Sequence, residues 1–242
     1  MVTPATDALL KRLRATAALD SEDASAIAAL PILTQRLEGG VRIVGVGDRP
    51  QACCLLINGF IARSKASNQG ARQILSVHQS GDIPDLQSLY IHVMDHDITT
   101  LNECLVGFIE HEPLRRLVRN RPNIAEILWR DTLVDAAIFR EWILNVGGRG
   151  GPSRIAHLVL ELYTRLKLIG KVADGTFFLP MTQQQLGEAI GMTSVHVNRV
   201  LQALRRDELL DFSYGSVKIL NETKLRELAG FDPLYLHLKP DL

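Results

Sequence analysis

The chain carries three cysteines in 242 residues, two of them adjacent as Cys53 and Cys54. That scarcity excludes a disulfide framework and suits a reducing cytoplasm. A surplus of one charge is lacking as well. The 27 basic residues balance 27 acidic ones, for a formal net charge of zero, so no global positive field holds the protein on nucleic acid and any such contact must be local. Apolar runs stop short of the ~18 residues that a membrane span needs. Met1 to Ala8 lacks the basic leader and apolar core of a signal peptide, so a cytoplasmic location without a membrane partner is expected. No nucleophile elbow, P-loop or paired-glycine dinucleotide motif is present, and enzyme activity is not expected. What remains is a chain with 46% hydrophobic residues, long enough for two modest domains that each bury a core.

The most informative stretch is Thr182 to Leu210, TQQQLGEAIGMTSVHVNRVLQALRRDELL. Thr182 can cap a helix whose Leu186, Ala189 and Ile190 share a face, and Gly191 supplies the positive-φ residue that ends it. Thr193 or Ser194 can cap a second helix, with Val197, Val200, Leu201 and Leu204 as its apolar stripe and Ser194, Val195, Asn198 and Arg199 on or beside the outer face. Two helices joined by Gly-Met-Thr cross steeply, the geometry that inserts the start of a second helix into a DNA major groove. An ordinary helical hairpin would show the same two stripes. Asp211 to Leu220, DFSYGSVKIL, then alternates around Tyr214-Gly215-Ser216 as a hairpin does, which completes a winged helix.

This segment resembles the cyclic AMP receptor protein and fumarate-nitrate regulator (Crp/Fnr) superfamily of bacterial transcription factors. The likeness rests on Leu186-Gly187, Gly191 and Val197-Asn198-Arg199, and continues more weakly upstream over nearly the whole chain. The resemblance implies an α+β fold: an N-terminal antiparallel β-roll resembling a cyclic-nucleotide-binding domain over residues 1–121, a long dimerisation helix and hinge over 122–148, and a C-terminal winged helix-turn-helix over 149–242. It also implies double-stranded DNA, a second copy of the chain and RNA polymerase as partners. The rival reading is a protein-interaction module that keeps the winged-helix fold without using DNA.

The sequence in order agrees with that outline. Leu9, Leu10, Leu13, Leu19, Ile27 and Leu30 suggest one or two short helices, with Asp20 or Ser21 capping the second. From Leu37 to Leu86, short runs such as Val41 to Val44, Cys53 to Ile57 and Ile74 to Val77 alternate with turn signals, as in an antiparallel sandwich or barrel. Ser88 to Val93 follows, and Thr99 to Ile109 is expected to supply the last strands. Glu112-Pro113 opens a helix. A longer one is expected from Pro122 to Val146, with too many apolar residues for one stripe. It is either a core helix of one subunit or a helix packed on its own roll and on its twin. Gly147-Gly148-Arg149-Gly150-Gly151-Pro152 is the clearest break in the chain, and the domain boundary and hinge are expected there. Ser153 is expected to cap a helix through Leu168, Glu222 to Ala229 to form a short helix, and Phe231, Leu234, Tyr235, Leu236 and Leu238 to dock on the body.

For base recognition the leading residue is Arg199, since a guanidinium can bond both O6 and N7 of a guanine; pairing with Glu188 is its plain alternative. Val195 can touch a thymine methyl, and Ser194, His196 and Asn198 can reach bases or backbone. Thr182, Gln183, Thr193, Arg205, Arg206 and Lys218 are candidates for phosphate contacts. Ser194 and Val195 stand where better-known superfamily members carry Arg and Glu, so the usual operator is not implied. In the roll, Leu86 stands near an expected ribose-binding Glu, and Met94-Asp95 near an expected phosphate-binding Arg pair. Cyclic AMP is therefore not an expected effector, and no cofactor is assigned. Iron-sulfur ligation is not expected, because no cysteine precedes Cys53. Cys53, Cys54 and Cys104 read as buried strand residues, and His92, Asp95, His96 and Asp97 as a polar loop rather than a metal site.

Overall fold

The computed structural model describes residues 3–238. Met1, Val2 and residues 239–242, at the outer edges of the expected domains, lie outside the described residues. The backbone divides into two compact units, residues 3–65 with 76–136 and residues 66–75 with 137–238.

The first unit begins with helix α1, Pro4–Thr16, whose start is fixed by a capping box between Thr3 and Thr6. Ala5, Leu9, Leu10 and Leu13 are its buried stripe. Helix α2, Ser21–Ala28, is capped by Asp20, which accepts the Asp23 amide at 2.7 Å. The strands β1 (Leu33–Leu37), β2 (Arg42–Val44), β3 (Ala52–Asn58), β4 (Ile61–Ala66) and β5 (Arg72–His78) follow. A short 3-10 turn at Leu86–Leu89 precedes β6 (Asp97–Thr100) and β7 (Cys104–Glu110). Helix α3 is His111–Asn120 and helix α4 is Pro122–Gly148.

The strands form two sheets, in the orders β1-β7-β3 and β2-β6-β4-β5. The continuous apolar run of β3 is explained by burial on both faces. Cys53, Leu55 and Ile57 point into a core shared with α1, α2 and Ile124, Ile127 and Leu128 of α4, whereas Cys54 and Leu56 join Ile61, Ile98, Cys104 and Val106. Strands β1 and β4 carry no such pattern. The four residues Leu33 to Arg36 of β1 are exposed, and β4 is interrupted by Arg63 and Lys65. The segment Ser88 to Val93 belongs to the 3-10 turn and the loop after it, and Thr99 to Ile109 is broken by a bend at Leu101 to Glu103.

The glycine-rich break is smaller than its composition suggests. Helix α4 includes Gly147 and Gly148, and helix α5, Gly151–Leu168, includes Gly151, so Arg149 and Gly150 separate the two. Ser153 is not the cap of α5. Gly150 holds the N-cap position in extended conformation and Pro152 lies in the first turn, where a missing N–H costs nothing. In the second unit α5 is followed by β8 (Thr176–Phe178), helix α6 (Gln183–Ile190), helix α7 (Ser194–Arg206), β9 (Leu210–Ser213), β10 (Ser216–Ile219) and helix α8 (Glu222–Ala229). The hairpin becomes a three-stranded sheet, β8-β10-β9, because the three-residue β8 pairs with β10. In the tail, Phe231 and Leu236 are buried and the Tyr235 hydroxyl donates to Glu161 at 2.9 Å, while Leu234 is exposed.

Candidate nucleic-acid interface

Local chemistry sets the two helices of the motif. Thr182 accepts the Gln185 amide at 3.1 Å, and Gln185 Oε1 accepts the Thr182 amide at 2.9 Å, closing a capping box at the start of α6. Gly191 ends α6 in the left-handed region, φ 68°. Thr193 accepts the His196 amide at 3.3 Å and starts α7. Val197, Val200 and Leu204 are buried, while Leu201, expected in the same stripe, is half-buried.

The opposite side of α7 faces solvent. Ser194, Val195, His196 and Arg199 are exposed and Asn198 is half-exposed, so the start of the helix presents the expected recognition residues together. Among the described residues Arg199 forms no hydrogen bond or ion pair. Its alternative partner Glu188 instead accepts the Gln184 amide group at 3.0 Å within α6. Thr182, Gln183 and Thr193 are exposed at the two helix starts, where free backbone N–H groups and the helix dipole favour an anion. Lys218 is exposed on β10.

Two phosphate candidates are otherwise engaged. Arg205 donates from Nε to Asp211 at 2.9 Å and from Nη2 to Asp211 and Ser213, tying the end of α7 to β9. Its hydrogen bond holds the Asp211 carboxyl below the usual range. Arg206 is paired with Asp207 at 3.1 Å. Sequence reasoning missed a positioning residue, Arg154, which donates to the carbonyl of Ile190 at 3.0 Å and to that of Arg149 at 2.7 Å. It satisfies the end of α6 from the first turn of α5. Its acceptor at Ile190 lies 36 residues along the chain, so no local pattern marks the contact.

In the roll, Leu86 packs against the core beside α1 and Met94 is buried between the sheets. Asp95 is exposed and paired with His96 at 2.8 Å, which holds its carboxyl below the usual range. Among the described residues no group of three or more His, Cys, Asp or Glu is placed to hold a metal. All three cysteines are buried free thiols.

A β-roll followed by a long helix and a winged helix-turn-helix, with the outer face of α7 open, defines a DNA-binding regulator with an attached sensor-type domain. Residues 153–228 match the Crp-like helix-turn-helix domain, and residues 34–121 match the cyclic nucleotide-binding domain. The chain is similar to the transcriptional activator protein FnrL of Cereibacter sphaeroides, 24% identical over 81% of this chain and 79% of that protein. It is also similar to the nitrogen fixation regulation protein FixK of Bradyrhizobium diazoefficiens, 22% identical over 90% and 92% of the two chains. Its fold is similar to that of FixK2 from Bradyrhizobium japonicum, with TM-score 0.75 and 22% identity over 82% of this chain and 98% of that one. The chain belongs to the Crp/Fnr superfamily of transcription regulators. Its members are regulators rather than enzymes, and the interaction-module alternative is not favoured.

Proposed function

We propose that the protein binds an inverted-repeat operator as a homodimer and reads each half-site with the exposed start of α7. The observation that carries this reading is the unpaired Arg199 guanidinium, set beside Ser194, Val195 and Asn198 on a helix capped at Thr193. Arg199 contacts a base edge, Val195 a thymine methyl, and Ser194, His196 and Asn198 bases or backbone. Thr182, Gln183, Thr193 and Lys218 bind phosphates. Genomic selection of bound duplexes tests the reading: recovered sites should be inverted repeats with half-site centres one helical turn, about 34 Å, apart. Enrichment of no sequence over input would overturn it.

The dimer rests on α4. Trp129, Leu133, Ile143 and Leu144 are exposed at 65%, 51%, 73% and 52%, far above what large apolar side chains of a core helix show. Their spacing gives a seam at heptad-like intervals, as a helix packed on its twin requires. Residues 1–121 then serve as the sensor-type roll, 122–148 as the dimerisation helix and hinge, and 149–242 as the DNA-binding part, in a cytoplasmic protein that meets RNA polymerase at promoters. Among the described residues no helix is long and apolar enough to cross a membrane. The roll does not respond to cyclic AMP, because Leu86 offers no ribose partner and the exposed Asp95 repels a phosphate.

A further inference from the structure

The segment from Gly81 to Ser88, where the superfamily resemblance would place a nucleotide, is bonded by the chain's own side chains and backbone at Asp82, Pro84 and Asp85. Arg12 of α1 donates from Nε to Asp82 Oδ1 at 2.9 Å and from Nη2 to Asp131 Oδ1 of α4 at 2.8 Å. Arg63 of β4 donates from Nε to the Pro84 carbonyl at 2.6 Å and from Nη1 to Asp135 Oδ2 of α4 at 2.5 Å. Asp85 Oδ1 accepts the Cys54 amide at 2.7 Å, and Asp82 Oδ2 accepts the Gln79 amide at 3.0 Å. Two arginines, from different elements, thus make the same connection: each joins this one segment to α4, through acceptors one helical turn apart.

The cost of these placements argues for a role. Arg63 is 5% exposed and Asp82 5% exposed. A buried cation is tolerated only when paired, and an apolar side chain of similar volume commonly serves stability as well. What the ion pairs add is geometric definition. On a helix of 3.6 residues per turn, Asp131 and Asp135 lie roughly half a turn from Trp129 and Leu133. Holding the aspartate face against the roll therefore fixes how the apolar seam is presented on the other side.

We propose that Arg12 and Arg63 act as a built-in effector, holding the Gly81–Ser88 segment on α4 so that the dimer competent for DNA forms without a small molecule. A diffusible effector shifts an equilibrium by binding one conformation more tightly than another. A tethered side chain achieves the same shift at an effective concentration that never falls. This inference rests on reading the chain as a dimeric operator-binding regulator, and it specifies how that regulator's roll is used.

The test measures operator affinity and dimer dissociation of the full-length wild type, Arg63→Ala, Asp135→Asn and the double variant, with circular dichroism as the check on folding. Methylguanidinium at millimolar concentration is the probe, with methylammonium as control. Arg63→Ala should weaken operator binding by about tenfold or more, within the usual range for coupled sites. Methylguanidinium should recover part of that loss in Arg63→Ala, none in the double variant, and change nothing in the wild type; methylammonium should recover none. A folded Arg63→Ala that dimerises and binds operator as the wild type does overturns the proposal, as does a wild type whose operator affinity rises tenfold with cyclic AMP. If Arg63→Ala does not fold, Asp135→Asn decides: weaker operator binding supports the clamp and unchanged binding overturns it. Wild type that binds no duplex removes the regulator reading and this inference together, whereas wild type and variants that bind equally remove the clamp alone.

Discussion

Met192 lies so close over Gly187 that a methyl group added at Gly187 would sit 2.3 Å from the Met192 carbonyl oxygen. The Met192 amide also donates to the Gly187 carbonyl at 3.0 Å, so backbone packs on backbone at the turn between α6 and α7. Gly187→Ala cannot be absorbed by a side-chain rotation. It should destabilise the second unit by about 1–3 kcal/mol, as overpacking of a tight site does, and weaken operator binding because α7 shifts. Heat unfolding and operator titration of the same variant check both.

Arg199→Ala and Lys218→Ala should differ in kind. Loss of Arg199 is expected to cost about 1–3 kcal/mol per half-site and to relax preference at one base pair. Loss of Lys218 should weaken all duplexes alike and lower the salt dependence by about one phosphate contact. Affinities for a panel of single-base operator variants, at two salt concentrations, separate the two patterns.

The α4 seam is tested by Trp129→Glu and Ile143→Glu. Each places a carboxylate where a twin helix would cover it, and a buried unpaired charge is strongly unfavourable. Sedimentation should show monomers for both at concentrations where the wild type is dimeric, with circular dichroism unchanged, because both side chains are largely exposed within one chain.

Asp85 gives a pH signature. Burial pushes its carboxyl up from 3.8 to about 7, and among the described residues its Oδ2 has no hydrogen-bond partner. Between those values the folded chain holds a proton that the unfolded chain has released, so stability conferred by this group is present at low pH and lost as pH rises toward 7. Asp85→Asn keeps an acceptor for the Cys54 amide and removes the titration. The variant should be more stable than wild type at pH 8 by an amount on the order of a few kcal/mol, with the difference shrinking toward pH 5. His157 contributes the opposite slope. Burial lowers its pKa from 6.5 to about 3, so its share of stability is lost as pH falls below 6.5. Chemical denaturation of wild type and Asp85→Asn across pH 5 to 8 isolates the aspartate. A difference that does not change with pH would contradict the assignment.

The helix-turn-helix was legible because its signals are local. Thr182, Gly191 and Thr193 cap or end helices wherever such residues meet such stripes, and each does so in the structure. Cys53 and Cys54 were legible for the same reason, since adjacent strand residues face opposite ways and here enter different cores. Strand β4 was not, because Arg63 reads as a solvated charge until Pro84 and Asp135, distant in sequence, are brought to it. The engagement of Arg205 by Asp211 was equally hidden, depending on how β9 returns beside α7. The break at Gly147 to Pro152 is shorter than its composition implies, because Gly147 and Gly148 extend α4 and α5 begins at Gly151.

The central claim is specific DNA binding by a dimer, and a salt titration of one selected operator beside a scrambled duplex of equal length tests it most directly. The account predicts two chains per operator, a log-log slope of roughly −0.9 per phosphate contact, and an operator affinity at least about a thousandfold above that of the scrambled duplex. Equal affinity for the two duplexes, or one chain bound per operator, would contradict it.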